Sequence, residues 1–208
     1  MNNRKKDDKR SEELFEAVKK GDIAVVKGLI EGGIDVNVRD KDNNTPLHVT
    51  NNPEVAGLLL KNGADLNARN KDGWTPLHSA AYHNWADVAE LLIKNGADVN
   101  ARDEFNMTPL HYATIRGQAV VAELLISHGA DINAKNRYNE TPLHLATMMG
   151  LWDVIMKLLD KGADLSIRDD RGRTPFDVAM EYGYEIDFIV MMMLKTLYGK
   201  ELRDFLAS

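Results

Sequence analysis

Histidine is the residue whose repetition in this chain could support metal or acid–base chemistry. Two imidazoles that share one zinc ion must bring their donor nitrogens within about 4 Å of each other. Equivalent positions on packed helices lie about 8–10 Å apart, so a periodic histidine does not suit a shared metal. We predict no metal site and no catalytic histidine. Four of the six histidines close the same motif, Thr-Pro-Leu-His, and are His48, His78, His111 and His144.

The other residues that could do chemistry also lack a site. His83 and His128 have no paired carboxylate or thiol that would suggest one, and the chain contains no cysteine. No nucleophile elbow, P-loop or dinucleotide fingerprint is present. We therefore predict that the chain is not an enzyme and has no cofactor.

A column of basic residues recurs with the histidines and could bind phosphate. Each is followed by an aspartate or an asparagine, and such alternation favours a solvated, locally paired edge instead. The column comprises Arg39, Arg69, Arg102, Lys135 and Arg168.

The composition argues against several classes of partner. The net charge of −6 gives no reason to expect nucleic-acid binding. The longest apolar run, residues 188–194, is far shorter than the roughly 18 residues of a membrane span. The first ten residues are not followed by the apolar segment of a secretory signal. We expect a cytoplasmic protein that binds neither nucleic acid nor membranes.

Two landmarks recur in register along the chain. Thr-Pro-Leu-His begins at residues 45, 75, 108 and 141 and a degenerate Thr-Pro-Phe-Asp at 174, so the intervals are 30, 33, 33 and 33 residues. Gly-Ala-Asp or a close variant begins at residues 33, 63, 96, 129 and 162. A fixed period of this length is typical of repeat proteins.

Each copy resembles an ankyrin repeat, and the resemblance covers about residues 11–199. Residues 103–134, "DEFNMTPLHYATIRGQAVVAELLISHGADINA", follow the family pattern almost throughout. The resemblance implies an all-α ankyrin-repeat solenoid of stacked helix-turn-helix units with hairpin-like loops, capped at both ends. It also implies that the motif histidines hydrogen-bond within and between loops, and that the chain binds a protein or peptide as scaffold, adaptor or inhibitor.

Local residue choices support helices at these places. Thr108 can cap a helix whose first residue, Pro109, lacks the N–H that would be left unpaired there. Gly117, Gly150 and Asn84 stand where a first helix should end in a left-handed residue. Positive φ is also expected in the connecting turns, at Gly73, Gly172, Asn43, Asn106 and Asn139.

The repeats define the expected domains. Residues 1–10 form a charged tail that we expect to be disordered; Asp7 and Asp8 argue against its use as a nucleic-acid arm. Residues 11–39 lack the Thr-Pro-Leu-His start and form an N-terminal capping repeat with a polar outer face. Further repeats cover about 40–69, 70–102, 103–135, 136–168 and 169–199, and residues 200–208 form a short C-terminal capping helix.

The repeat at 40–69 is three residues short between His48 and Val55. We predict a shortened first helix and an early second helix, with Asn52 as its N-cap and Pro53 as its first residue. Either the deletion is merely tolerated, or it leaves a recess on the concave face that receives a partner side chain.

Function in a repeat protein should lie where the repeats differ. The variable places are the loop tips and the ends of the first helices, which the resemblance places on the concave side. Aromatic, methionine and arginine side chains are common interface anchors. The alternative is that these rings lie flat on neighbouring loops and expose little area. The predicted partner-binding residues are Trp74, Tyr82, His83, Phe105, Met107, Ile115, Arg116, Tyr138, Met148 and Met149.

Residues 184–197 are expected to form a helix that packs one apolar stripe inward on the preceding repeat. The same segment carries a second apolar stripe of Phe188, Met191 and Met192. We expect residues 200–208 to fold over it as a lid and the chain to be a monomer. Homodimerisation through the stripe is the alternative, and with it a self-assembling structural protein instead of a binding module.

Overall fold

The chain divides into two compact units, residues 1–104 and 105–208, and the computed structural model describes residues 2–184. The described residues form helices and loops with no strand, which confirms the all-α repeat fold. None of these helices combines the length and apolarity needed to cross a lipid bilayer. The helices of the first unit are α1 (Asn2–Lys20), α2 (Ile23–Glu31), α3 (Pro46–Val49), α4 (Pro53–Lys61), α5 (Pro76–His83) and α6 (Ala86–Lys94). Those of the second are α7 (Pro109–Ile115), α8 (Ala119–Ser127), α9 (Pro142–Met148), α10 (Trp152–Asp160) and α11 (Pro175–Glu181).

Successive helix pairs pack in repeat order within each unit. In the first unit α1, α3 and α5 follow one another, each against its own second helix. In the second unit α7, α9 and α11 do the same, with α8 and α10 alongside. The motif leucines at the start of these first helices are fully buried and belong to the apolar interior of each unit. They are Leu47, Leu77, Leu110 and Leu143.

The helix ends follow the sequence expectations. Thr108 caps α7 and Pro109 is its first residue. Gly117 and Gly150 have φ of +68° and +65°, and Asn84 has φ of +61° at the end of α5. These values confirm the predicted left-handed ends, where a residue without a Cβ or with a short amide side chain is least strained. Positive φ is likewise confirmed at Gly73, Gly172, Asn43, Asn106 and Asn139.

The N-terminal residues differ from the expectation. Helix α1 begins at Asn2, so residues 2–10 continue a helix where a disordered tail was predicted. No proline or glycine interrupts residues 2–20, and the buried Leu14 and Val18 anchor the later turns against the repeat. Once a helix is nucleated, each further residue adds at little cost, so a charged segment can extend it.

The short repeat has the predicted construction. Helix α3 has four residues, whereas α5 has eight. Asn52 caps α4, because its Oδ1 accepts hydrogen bonds from the backbone N–H of Glu54 at 2.9 Å and of Val55 at 3.2 Å. The deletion therefore removes the end of the first helix and leaves the second helix complete.

The expectations for the C-terminal end fall beyond residue 184. The stripe of Phe188, Met191 and Met192 and the lid at 200–208 lie outside the described residues. The monomer and its dimeric alternative stay predictions for the same reason.

Candidate functional site

The motif histidines are buried structural groups. His144 Nδ1 lies 3.2 Å from the backbone nitrogen of Thr141, and its Nε2 lies 3.0 Å from the carbonyl oxygen of Arg173 in the next loop. Because the Thr141 N–H donates to Nδ1, the ring proton lies on Nε2 and donates to that carbonyl. His48 makes the equivalent bonds to Thr45 and to the carbonyl of Trp74. The bonds within and between loops are those that the resemblance implies.

Burial also sets the protonation of these rings. It lowers the pKa of both His48 and His144, because the charged imidazolium loses its hydration. The neutral ring is the form that can accept the N–H of the capping threonine. Within residues 2–184, no three histidine or carboxylate side chains lie close enough together to hold a metal ion.

The residues that follow the basic column organise the loops. Asp169 Oδ1 accepts from the backbone N–H of both Arg171 and Arg173 at 2.9 Å, and its Oδ2 accepts from Arg173 Nε at 2.9 Å. Burial by itself raises the pKa of Asp169, but these hydrogen bonds outweigh it and hold the pKa below its usual value. Asn70 makes the same turn around Asp72 and Trp74.

Members of the basic column bond mainly to loop carbonyls. Arg39 donates to the carbonyl oxygens of Asn43 and Arg69, at 3.0 and 2.7 Å. Arg69 in turn donates to the carbonyl of Arg102. These two arginines therefore tie one loop to the next, while Arg168 lies 3.7 Å from the carboxylate of Asp177 and shows the local charge pairing expected from sequence.

The candidate residues of the first unit form a ring cluster. Trp74 and Tyr82 are half-buried and His83 is exposed. The ring centroids of Trp74 and Tyr82 lie 5.2 Å apart, and those of Tyr82 and His83 lie 5.0 Å apart. Trp85 continues the cluster, stacked on His83 at 4.8 Å with 17° between the ring planes. The loop tip and the end of α5 thus form one aromatic surface.

Two neighbouring loop tips of the second unit carry the next candidates. Phe105 and Tyr138 are 44% and 50% exposed. The guanidinium of Arg137 lies over both rings, 4.9 Å from the centroid of Phe105 and 5.2 Å from that of Tyr138. Met107 is half-buried beside them, with Asn136 Nδ2 at 3.5 Å from its sulfur. The two rings thus share one arginine and keep about half of their surface exposed.

The remaining candidates lie at the ends of α7 and α9. Ile115 and Met148 are half-buried, and Arg116 is exposed. Met149, which ends α9, is 58% exposed. Apolar side chains thus reach the surface at both helix ends, whereas the inward residues Leu110 and Leu143 are fully buried.

A recess adjoins the short helix of the first unit. It has a volume of about 390 Å³. Its lining joins the short repeat to the ring cluster, and comprises Asp42, Asn44, His48, Val49, Asn70, Asp72, Trp74, Ser79, His83 and Trp85. The deletion between His48 and Val55 is therefore accompanied by a concavity.

Sequence reasoning missed two residues of these surfaces. Trp85 is the N-cap residue of α6, whereas the equivalent residues of α8 and α10 are Gln118 and Leu151. An aromatic residue at this variable position is a feature of the sequence that indicates a surface role. Arg137 follows the loop residue Asn136, a place where the sign of the charge changes between repeats. Its contact with two rings depends on the folded positions of the loops, and nothing local in the sequence indicates it.

Comparison with known protein families identifies one family whose model matches this repeat architecture. A family model described as "Ankyrin repeats (3 copies)" matches residues 14–103, 49–136 and 97–169. Together the matches span well over half of the chain. A search of the curated proteins found no match.

Proposed function

This chain belongs to the ankyrin repeat family, and we propose that it is a non-enzymatic module that binds a protein or peptide on its concave face. Ankyrin repeats are generally protein–protein interaction modules. The proposed role is that of a scaffold, an adaptor or an inhibitor. The proposed contact residues are the loop-tip and helix-end side chains described above.

The observation that carries the proposal is the pair of rings at neighbouring loop tips. Phe105 and Tyr138 keep about half of their surface in water although Arg137 lies against both. Apolar surface left in water is unfavourable, and a contiguous patch of it commonly marks an interaction site. Tyrosine, arginine and other aromatic residues are also enriched at the centres of interfaces.

The family geometry supplies the second support. The rings of the first unit, around Trp74 and Tyr82, also lie at a loop tip and at the end of a first helix. The buried motif leucines recur from repeat to repeat, whereas the loop-tip and helix-end residues differ from copy to copy. Since the shared residues build the scaffold, the differing ones are free to serve recognition.

Affinity capture from the source organism, read by mass spectrometry, tests the proposal. The bait is the full chain, compared with the double variant Phe105→Ala/Tyr138→Ala and with Val120→Ala. Val120 is 65% exposed on α8, away from the loop tips, and serves as the matched apolar control. We expect a protein that the wild type and the control retain and the double variant loses. Identical capture by all three baits would show that the loop tips do not contact the captured protein.

Once a partner is identified, calorimetry gives the magnitude. Trp74→Ala and Phe105→Ala should each weaken binding by about 1–3 kcal/mol, the usual range for an aromatic anchor. Thermal unfolding of the same variants is the control. Loss of folding in both would assign the rings to the scaffold instead of to a site.

A further inference from the structure

The recess of the first unit follows from the difference in length between two packed helices. Helices α3 and α5 lie against each other, but α3 is four residues shorter. At 1.5 Å per residue, α5 therefore extends about 6 Å beyond its neighbour. Ser79 and His83 lie one turn apart on α5, and both line the recess. The missing turn of α3 leaves a space beside α5 that a group of a ligand can fill.

Part of the recess wall is aromatic. Trp74 lies on the loop tip and Trp85 lies at the start of α6, and both tryptophans line the recess. Indole is the side chain that attracts a cation most strongly over its ring face. Each of them also contacts another ring: Tyr82 lies 5.2 Å from Trp74, and His83 stacks on Trp85.

The charges of the lining have one sign. Asp42 and Asp72 stand on successive loop tips, and the lining contains no lysine or arginine. Lys71 Nζ lies 3.9 Å from Asp42 Oδ1, and both side chains are more than half exposed. An ion pair as exposed as this one contributes little stabilisation. Burial lowers the pKa of His48, so that ring adds no positive charge near neutral pH. The recess therefore combines aromatic walls with carboxylates.

We propose that this recess receives the guanidinium of an arginine side chain from a basic segment of the partner, an inference that rests on the proposed binding function. A guanidinium is planar and weakly hydrated, so it can stack on an indole and donate to a carboxylate at the same time. An ammonium is more strongly hydrated and forms the flat contact less well. An acidic or purely apolar side chain would leave Asp42 and Asp72 without a counter-charge. The chain's net charge of −6 also favours a basic partner over an acidic one.

The test needs no identified partner. Amide-correlation NMR spectra of the nitrogen-labelled full chain report the indole N–H groups of its three tryptophans. The probes are N-acetyl-arginine methylamide, the lysine equivalent and the neutral citrulline equivalent. We expect the arginine probe to shift the Trp74 and Trp85 signals saturably and to leave Trp152, in the second unit, unchanged. The lysine probe should act more weakly, and citrulline at the same concentration should have no effect.

Two variants connect the response to the recess. Asp42→Asn/Asp72→Asn should weaken the arginine response roughly three- to tenfold, as two exposed charge pairs warrant. Glu31→Gln removes an exposed carboxylate at the end of α2, outside the recess lining, and should leave the response unchanged. Insertion of Ala-Ala-Ala after Thr50 should restore the missing turn and abolish the response, with an unaltered helical circular dichroism spectrum.

Three results would overturn the inference. Equal responses to arginine and citrulline would show that the recess does not recognise the positive charge. A stronger response to lysine would show that the guanidinium is not the preferred group. An absence of shifts at Trp74 and Trp85 would remove the recess as a cation site. Each of these outcomes leaves the loop-tip capture experiment with Phe105 and Tyr138 unaffected, so failure of this inference is distinguishable from failure of the proposed function.

Discussion

Replacing one motif histidine tests whether the histidines stabilise the fold. In His144→Ala, the backbone N–H of Thr141 and the carbonyl of Arg173 both lose their side-chain partner. Thr141 is 1% exposed, so water cannot replace the ring there, whereas Arg173 is only half-buried. An unsatisfied buried polar group costs about 1–3 kcal/mol. We therefore expect a loss of about 2–4 kcal/mol, with the larger part from the threonine N–H.

Equilibrium unfolding in urea, followed by far-UV circular dichroism, measures this loss. In a chain of this length each kcal/mol lowers the melting temperature by about 2–4 °C, so thermal unfolding should shift by roughly 5–15 °C. His128→Ala is the matched control, because that ring is exposed at the end of α8. Its effect should stay within about 0.5 kcal/mol. Equal losses in the two variants would refute the structural role assigned to His144.

Burial of the motif histidines also predicts that the stability of the fold depends on pH. Burial lowers the pKa of His48 and His144 in the folded chain, while the unfolded value is about 6.5. The unfolded state therefore binds more protons as the pH falls below about 6.5, so the stability from these rings is full above that pH and is lost towards the lowered folded pKa. His144→Ala should show a smaller fall in melting temperature between neutral and mildly acidic pH than the wild type does. A larger fall, or a rise on acidification, would contradict this sign.

Three further predictions concern the helix ends and the C-terminus. Inserting Ala-Ala-Ala after Thr50 should keep or raise the melting temperature, because it extends α3 along an existing face of α5. Unfolding of this variant would mean that the packing of the short repeat requires the short helix. Gly150→Ala should be destabilising by more than the roughly 1 kcal/mol expected from a left-handed residue alone, because its Cβ would lie 2.9 Å from Tyr184 Oη. Gly117→Ala, whose Cβ meets only Leu151 Cδ2 at 3.4 Å, is the comparison by thermal unfolding, and equal losses would dismiss the contact with Tyr184. Deleting residues 200–208 should produce oligomers in light scattering if they cover the Phe188 stripe, whereas a chain that is dimeric with or without them would exclude the lid.

Features set by neighbouring residues could be predicted from the sequence. Asn52 and Pro53 start α4 because a capping amide and a proline act within one turn. Asn84 adopts a left-handed conformation because the end of a first helix requires one. The interval of 30 residues between two motifs, against 33 elsewhere, predicts the shortened α3. In each case the cause and its effect lie within a few residues of each other.

Features that depend on several repeats could not be predicted. The contact of Arg137 with Phe105 and Tyr138 requires the spacing of two loops that lie one repeat apart in sequence. Trp85 is a plain cap residue by position, and it lines the recess beside the short helix of the preceding repeat. The helical course of residues 2–10 depends on a helix nucleated further along the chain, at the turns that Leu14 and Val18 anchor, so the charge density of the segment alone does not indicate it.

The scaffold satisfies its own buried polar groups. Among the described residues, no buried side-chain nitrogen or oxygen lacks a hydrogen-bond partner. The interior therefore needs no ligand to complete it. Exposed rings such as Phe105 and Tyr138 do nothing for that interior, and their exposure is unfavourable for the isolated chain. A deletion confined to the end of one helix likewise leaves the caps and the loop hydrogen bonds of its repeat in place. Recognition can therefore change from repeat to repeat without a matching change in the fold, which is why the short repeat and the loop tips are the places to test first.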